Sequence, residues 1–235
     1  MRLAALRQKN GLILHDADSL CDAPGTHQID PALFTAKYWR ERGLIVGEAP
    51  GRGSSLFLQA TPTEQWVLRP YRRGGMVARL STKRYLWTGA ERTRAFRELR
   101  LTAALFEQGL PVPRPVASCV TRHGLTYEAA LITVRIAGAK ALAELLANDQ
   151  ADEALLKRIG EMIRRFHQVG LDHVDLNARN ILVDPSGTPW LIDLDRCRLR
   201  VAGKWQADNL ERLARSFKKF TDAPLMPIIY RGYRS

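Results

Sequence analysis

The sequence predicts an α+β fold in two parts, with strands leading and helices following. Three observations carry this. Between Leu44 and Tyr71, short β-like runs alternate with turn residues. A single amphipathic segment then precedes two further β-like runs. Beyond Lys140 the apolar residues recur at helical spacing, interrupted by only two short apolar pieces. A boundary is placed near Arg135. It gives an N-terminal extension over 1–28, a lobe over 29–135 built on an antiparallel β-sheet plus one helix, and a short, mostly helical lobe over 136–235.

Asp30-Pro31 reads as N-cap and first residue of a helix running to Arg42 and closed by Gly43. LIVGEA, SSLFLQA and QWVLRPY follow as a three-stranded meander, with PGRG turning the chain between the first two strands. Thr93 to Gln108 puts Phe96, Leu99, Ala103 and Phe106 on one helical stripe, and Gly109 stops it. PVPRPV forces an extended chain. VASCVT and TYEAALITV then pair as strands around Arg122-His123-Gly124. Lys140 to Ala147 and Asp152 to Gln168 are helical, the second ending at Gly170. ILVD and PWLIDLD flank the turn Pro185-Ser186-Gly187, and a last amphipathic helix covers about Asn209 to Phe220.

The chain has 235 residues, 46% of them hydrophobic and 26% charged, which is globular composition and excludes disorder, collagen and coiled coil. No apolar run approaches the roughly 18 to 20 residues that span a bilayer, and MRLAALRQKN is too short and too charged for a signal peptide, so a cytoplasmic location is expected. Cys21, Cys119 and Cys197 are widely separated and lack a C-x-x-C pattern, which suggests reduced thiols. Lys and Arg number 36 against 24 Asp and Glu, a net +12, so polyanionic partners are expected: nucleic acid, anionic membrane or a phosphorylated substrate.

The densest chemical signal is His173-Val174-Asp175-Leu176-Asn177-Ala178-Arg179-Asn180, followed thirteen positions after the Asn by Asp193 at the end of an apolar strand. Phosphoryl transfer asks for such a set. One carboxylate, Asp175, accepts the hydroxyl proton, while Asn180 and Asp193 offer hard oxygen ligands to Mg²⁺. Either piece alone fits a capped turn and a strand end; both at this spacing point to a protein-kinase-like bilobal fold. His173 is expected to orient the loop. Upstream, Gly51 and Gly53 lie between two strands where backbone N–H groups can approach phosphate oxygens. Where kinases place a strand lysine, this chain has Arg69, which keeps the charge and grips phosphate through a longer, planar group. Glu98 is its candidate helix partner, against an ordinary surface pair with Arg94, and Lys83 is the alternative phosphate cation.

GRGSSLFLQ, VLRPYRRGGMVARLS, AFRELRL, GLPVPRPVA, HVDLNARNILVD and LIDLDRCR together resemble the Kdo (3-deoxy-D-manno-octulosonic acid) kinases of the lipopolysaccharide kinase family, relatives of the core heptose kinases, from about Tyr38 to Phe220. The resemblance implies Asp175 as catalytic base, Asn180 and Asp193 as metal ligands, and ATP with Mg²⁺ as cofactors. It implies as acceptor the 4-hydroxyl of Kdo on a lipid A precursor, and work done peripherally at the cytoplasmic face of a bacterial inner membrane. Asp195 stands where D-F-G would end, and Asn177 where protein kinases favour Lys. Only 42 residues follow Asp193, too few for an activation segment and the helices that hold a protein substrate.

An anionic acceptor makes Arg72, Arg73, Arg79 and Arg84 candidates for holding it. The C-terminal PLMPIIYRGYRS joins apolar residues to Arg231 and Arg234, which suits a membrane surface or packing on the helical lobe. An aminoglycoside-type kinase shares the H-x-D-x-x-x-x-N pattern, but its cationic substrate asks for an acid-lined site. An inactive basic binding module would leave Asp175, Asn180 and Asp193 without a role. No RNP, KH or zinc pattern is present, so no nucleic acid is expected, and no obligate protein partner is evident.

Overall fold

The computed structural model describes residues 1–20, 29–49, 55–71 and 85–235. Gly51, Gly53, Arg72, Arg73, Arg79, Lys83, Arg84 and Cys21 lie outside the described residues. The chain divides into two compact units: Met1–Ala103 with Arg114–Arg135, and Ala104–Pro113 with Ile136–Ser235.

In the first unit the described strands are β1 (Leu3–Gln8), β2 (Gly11–Asp16), β3 (Ile45–Glu48), β4 (Leu56–Gln59), β5 (Gln65–Pro70), β6 (Tyr85–Leu86), β7 (Pro115–His123) and β8 (Thr126–Val134). They form one antiparallel sheet in the order β1-β2-β7-β8-β5-β4-β3, with β6 added on β8. Residues 3–16, expected to belong to an N-terminal extension, instead supply two strands of this sheet. Ile13 of β2 pairs with Cys119 of β7, and Leu14 with Ser118. Side chains two apart share a face, so β2, β7 and β8 each feed two cores. Ile13, Trp66, Leu68 and Ile132 pack with Leu33 and Trp39 on one side. Leu14, Tyr71, Leu131 and the α3 (Arg94–Glu107) residues Phe96 and Leu99 pack on the other.

The helix expected over residues 31–42 is broken in two. Asp30 accepts the Ala32 N–H at 2.7 Å and caps a 3-10 turn, Pro31–Phe34. Thr35 then leaves the helical region and caps α2 (Ala36–Arg40). A short α1 (Ala17–Leu20) precedes both. Cys119 behaves as a packing residue, since burial pushes its thiol up to about 11.

The second unit carries β9 (Lys140–Ala141), α4 (Leu142–Ala147), α5 (Glu153–Gln168), β10 (Leu171–Asp172), β11 (Ile181–Val183), β12 (Pro189–Leu191), β13 (Arg198–Leu199), α6 (Trp205–Phe217) and α7 (Met226–Arg234). Lys140 and Ala141, expected to open a helix, pair with β11 instead. The late helix starts at Trp205 rather than Asn209, because the buried Trp205 belongs to its apolar face. The C-terminal tail forms α7 and packs on α5, where Gly160 and Gly232 let the backbones approach. A Cβ at Gly160 would strike the Ile229 carbonyl oxygen, and one at Gly232 the Lys157 carbonyl oxygen. Among the described residues no helix is long and apolar enough to cross a membrane.

Candidate active site

In the second unit, the spacing between Asn180 and Asp193 is hairpin arithmetic. Ile181 pairs with Leu191, Leu182 with Trp190 and Val183 with Pro189 around a turn that Asp184 closes by accepting the N–H groups of Ser186 and Thr188. One step outward, the Ile192 N–H donates to the Asn180 carbonyl at 3.0 Å. The residue after Ile192 is Asp193, so the ladder delivers its carboxylate beside the strand end that carries Asn180. Asp193 has φ +60°, a left-handed conformation that Asp tolerates better than most residues and that costs on the order of 1–3 kcal/mol.

The loop from His173 to Asn180 is held by side chains bonding its backbone. Asn177 Nδ2 and Asn180 Nδ2 both donate to the Asp175 carbonyl at 2.9 Å. Asn177 Oδ1 accepts the N–H groups of Arg179 at 2.8 Å and Asn180 at 3.2 Å. Asp175 is exposed, and its backbone rather than its carboxylate carries the loop, so the carboxylate is presented to solvent. With Nδ2 of Asn180 committed, its Oδ1 is the atom that remains for a cation.

His173 is 2% exposed. Burial lowers its pKa more than the nearby Asp193 and Asp175 raise it, so the imidazole is neutral and donates from Nε2 to the Ile192 carbonyl at 3.1 Å. It joins the His173–Asn180 loop to the Asp193 strand, an orienting arrangement. Behind it, Asn209 Oδ1 accepts the His173 N–H, and Asn209 Nδ2 donates to Asp172 at 3.0 Å. Burial alone would raise the Asp172 pKa, but hydrogen bonds from Asn209 and Arg200 and the charges of Arg200 and Arg198 bring it below the usual value. The roles of Asn177, Asn209 and Asp172 were not foreseen from sequence. Only the Asx-turn chemistry of Asn177 carried a local signal.

Among the described residues no group of three or more His, Cys, Asp or Glu side chains converges as a metal site. A donor set of Asn180 Oδ1 and the Asp193 carboxylate fits Mg²⁺, which takes few protein oxygens and completes its octahedron with water and phosphate.

In the first unit, alternation along β5 buries Trp66 and Leu68 toward one core and leaves Arg69 and Tyr71 on the α3 side. There Arg69 Nη2 donates to Glu98 Oε1 at 2.5 Å, and the Tyr71 hydroxyl donates to Glu98 Oε2. The Glu98 side chain is 3% exposed and that of Arg69 26%. Glu98 is thus a buried partner of Arg69. Arg94, the other partner considered, lies against the Tyr71 and Tyr85 rings. Tyr71, inside the R-P-Y phrase, is the residue that sequence reasoning passed over.

A model of the lipopolysaccharide kinase (Kdo/WaaP) family matches residues 36–230. A protein of Xylella fastidiosa (strain M12), named 3-deoxy-D-manno-octulosonic acid kinase, is 44% identical over 226 residues, covering 96% of this chain and 87% of that one. A protein of the same name from Xanthomonas axonopodis pv. citri (strain 306) is 48% identical over 210 residues, 89% of this chain and 81% of its own. The match and these relatives show that the chain belongs to the lipopolysaccharide kinase (Kdo/WaaP) family.

Proposed function

We propose that this protein transfers the γ-phosphoryl group of ATP to the 4-hydroxyl of Kdo on a lipid A precursor, working peripherally at the cytoplasmic face of a bacterial inner membrane. The loop built on Asn177 and Asn180 carries the reading, because it spends side chains on its own backbone in order to present Asp175 outward. Relatives named Kdo kinase at 44% and 48% identity supply the acceptor.

In this reaction the Asp175 carboxylate orients the sugar hydroxyl and accepts its proton as the oxygen bonds to phosphorus. Asn180 and Asp193 hold Mg²⁺, which when bound neutralises charge on the nucleotide phosphates. Arg69, fixed by Glu98, contributes a planar cation to the phosphates. The acceptor carries phosphates and a carboxylate, and the net charge of +12 suits both it and an anionic bilayer. Arg72, Arg73, Arg79 and Arg84 are the candidate acceptor contacts.

Incubating the purified protein with ATP, Mg²⁺ and Kdo-bearing lipid A precursor tests this by mass spectrometry of the acceptor. The expected result is the mass of one added phosphate on the sugar, absent with Asp175→Asn. An unchanged acceptor mass, or an Asp175→Asn variant as active as the parent, overturns it.

A further inference from the structure

The stretch from Arg196 to Lys204 follows the metal-ligand hairpin and is basic and apolar by turns: Arg196, Arg198, Leu199, Arg200, Val201, Lys204. β13 within it pairs with β10, opposing Asp172 to Arg198 and Leu171 to Leu199. Arg198 and Arg200 reach Asp172 at 3.6 and 3.0 Å, whereas Leu199 and Val201 are 51% and 91% exposed.

Single exposed apolar residues are ordinary on protein surfaces. These differ in being held in place. The Trp205 indole N–H donates to the Val201 carbonyl at 2.7 Å, and the Arg200 N–H donates to the Gly170 carbonyl at 2.8 Å. Gly170, at φ +84°, also leaves the room that Arg200 needs, since a Cβ there would lie 2.5 Å from its carbonyl oxygen. The backbone is thus anchored on both sides of a valine that touches almost nothing. Arg196 and Lys204, both exposed, flank it and make no ion pair among the described residues.

We infer that the Arg196–Lys204 segment is a membrane-docking surface, with Leu199 and Val201 entering the headgroup region of an anionic bilayer while Arg196 and Lys204 meet lipid phosphates. Charge complementarity selects an anionic partner. The exposed apolar pair selects lipid over a soluble polyanion, which would gain nothing from leucine or valine. Asp172 makes the placement consequential. It takes Arg198 and Arg200 and, through Asn209, the backbone of His173, so the docking surface and the Asp175 loop are fastened to one carboxylate. The surface rests on the proposed function only in its purpose, which is to hold that loop at the level of a lipid-borne acceptor.

Flotation of the full chain with vesicles of phosphatidylglycerol and phosphatidylethanolamine, against phosphatidylcholine vesicles, tests the surface without using catalysis. The parent is expected to float with the anionic vesicles and not with the zwitterionic ones. Val201→Asp should lower retention by about tenfold and Val201→Trp should raise it, while Arg196→Glu should cost about fivefold or more, in line with roughly 1 kcal/mol per basic residue at an anionic surface. Val201 touches so little that its variants should keep the parent's thermal midpoint. Leu125→Asp, at an 81% exposed leucine on the β7–β8 turn of the other unit, should float like the parent. No flotation of the parent, equal retention of Val201→Asp, or a loss confined to Leu125→Asp overturns the inference. Vesicle binding that depends on Val201 in a protein that leaves Kdo unphosphorylated would sink the proposed function and leave this surface standing.

Discussion

Arg69 and Glu98 lie 29 residues apart in sequence and meet through a 2.5 Å hydrogen bond, with the Tyr71 hydroxyl on the second carboxylate oxygen. Strand alternation brings the arginine to the α3 face, and the helix stripe that buries Phe96 and Leu99 carries Glu98 in with them. The guanidinium is 4.8 Å from the Tyr71 ring centroid while it bonds the carboxylate. A lysine keeps the charge but cannot do both. Arg69→Lys and Glu98→Gln are each expected to lower kcat/KM for ATP by about ten- to a hundredfold, the worth of a charge-assisted hydrogen bond of about 1.5–3 kcal/mol. Steady-state kinetics with varied ATP checks this. A parent-like Arg69→Lys would show that charge alone suffices.

Asp175 and Asn177 sit two residues apart and should fail in different ways. The Asp175 carboxylate is exposed and carries no part of the loop's hydrogen bonding, so Asp175→Asn should reduce kcat by about 10²- to 10⁴-fold and leave the thermal midpoint unchanged. Asn177 supplies three hydrogen bonds to the loop backbone, so Asn177→Ala should lower both kcat and the unfolding temperature. Thermal scans beside turnover numbers separate the two. A large fall in stability with Asp175→Asn would contradict the assignment.

Much of this arrangement is legible in the sequence because it is local. The Asn180–Asp193 spacing encodes a short hairpin whose register follows from turn residues, and the β5 pattern of alternating burial places Arg69 without any knowledge of its partner. What escaped depends on distant pairing. Leu3–Gln8 and Gly11–Asp16 have weak periodicity by themselves; they pair with each other as a hairpin, and it is β7, more than a hundred residues away, that takes β2 into the sheet. Lys140 and Ala141 look helical until β11 supplies an edge. Asn209 and Asp172 are unremarkable in sequence and gain a role only when α6 lies beside β10.

The α5–α7 contact gives a prediction about stability. Gly160 and Gly232 each face a carbonyl oxygen of the opposite helix, so a methyl group at either site cannot be absorbed by a side-chain rotation. The helices must separate or bend. Gly160→Ala and Gly232→Ala, each favourable by helix propensity alone, should instead destabilise the protein by about 1–3 kcal/mol, the usual cost of overpacking. Urea unfolding measures it, and a stabilising effect would show that the helices do not cross this closely.

Acid should weaken the fold through its buried histidines. His167 is 5% exposed and packs edge-on against Trp205 and Tyr233, with Nδ1 2.8 Å from the Tyr233 hydroxyl. Burial lowers its pKa to about 4, and the smaller upward effects of Asn209 and Asp172 do not offset this. A histidine whose folded pKa is depressed binds fewer protons folded than unfolded, so stability present above the unfolded value near 6.5 is lost as pH falls toward 4. The full loss from His167 is on the order of 3 kcal/mol. His173 and His15 are lowered in the same direction and add to it. Carboxylates such as Asp172, whose unfolded value is 3.8, release their share mainly below this window, so unfolding free energies between pH 7 and 4.5 report the histidines. His167→Gln should flatten that slope even if it lowers stability at pH 7, because it removes the proton-binding difference along with the ring. A slope equal to the parent's would mean that His167 is protonated in the folded protein, which its burial against two aromatic rings argues against.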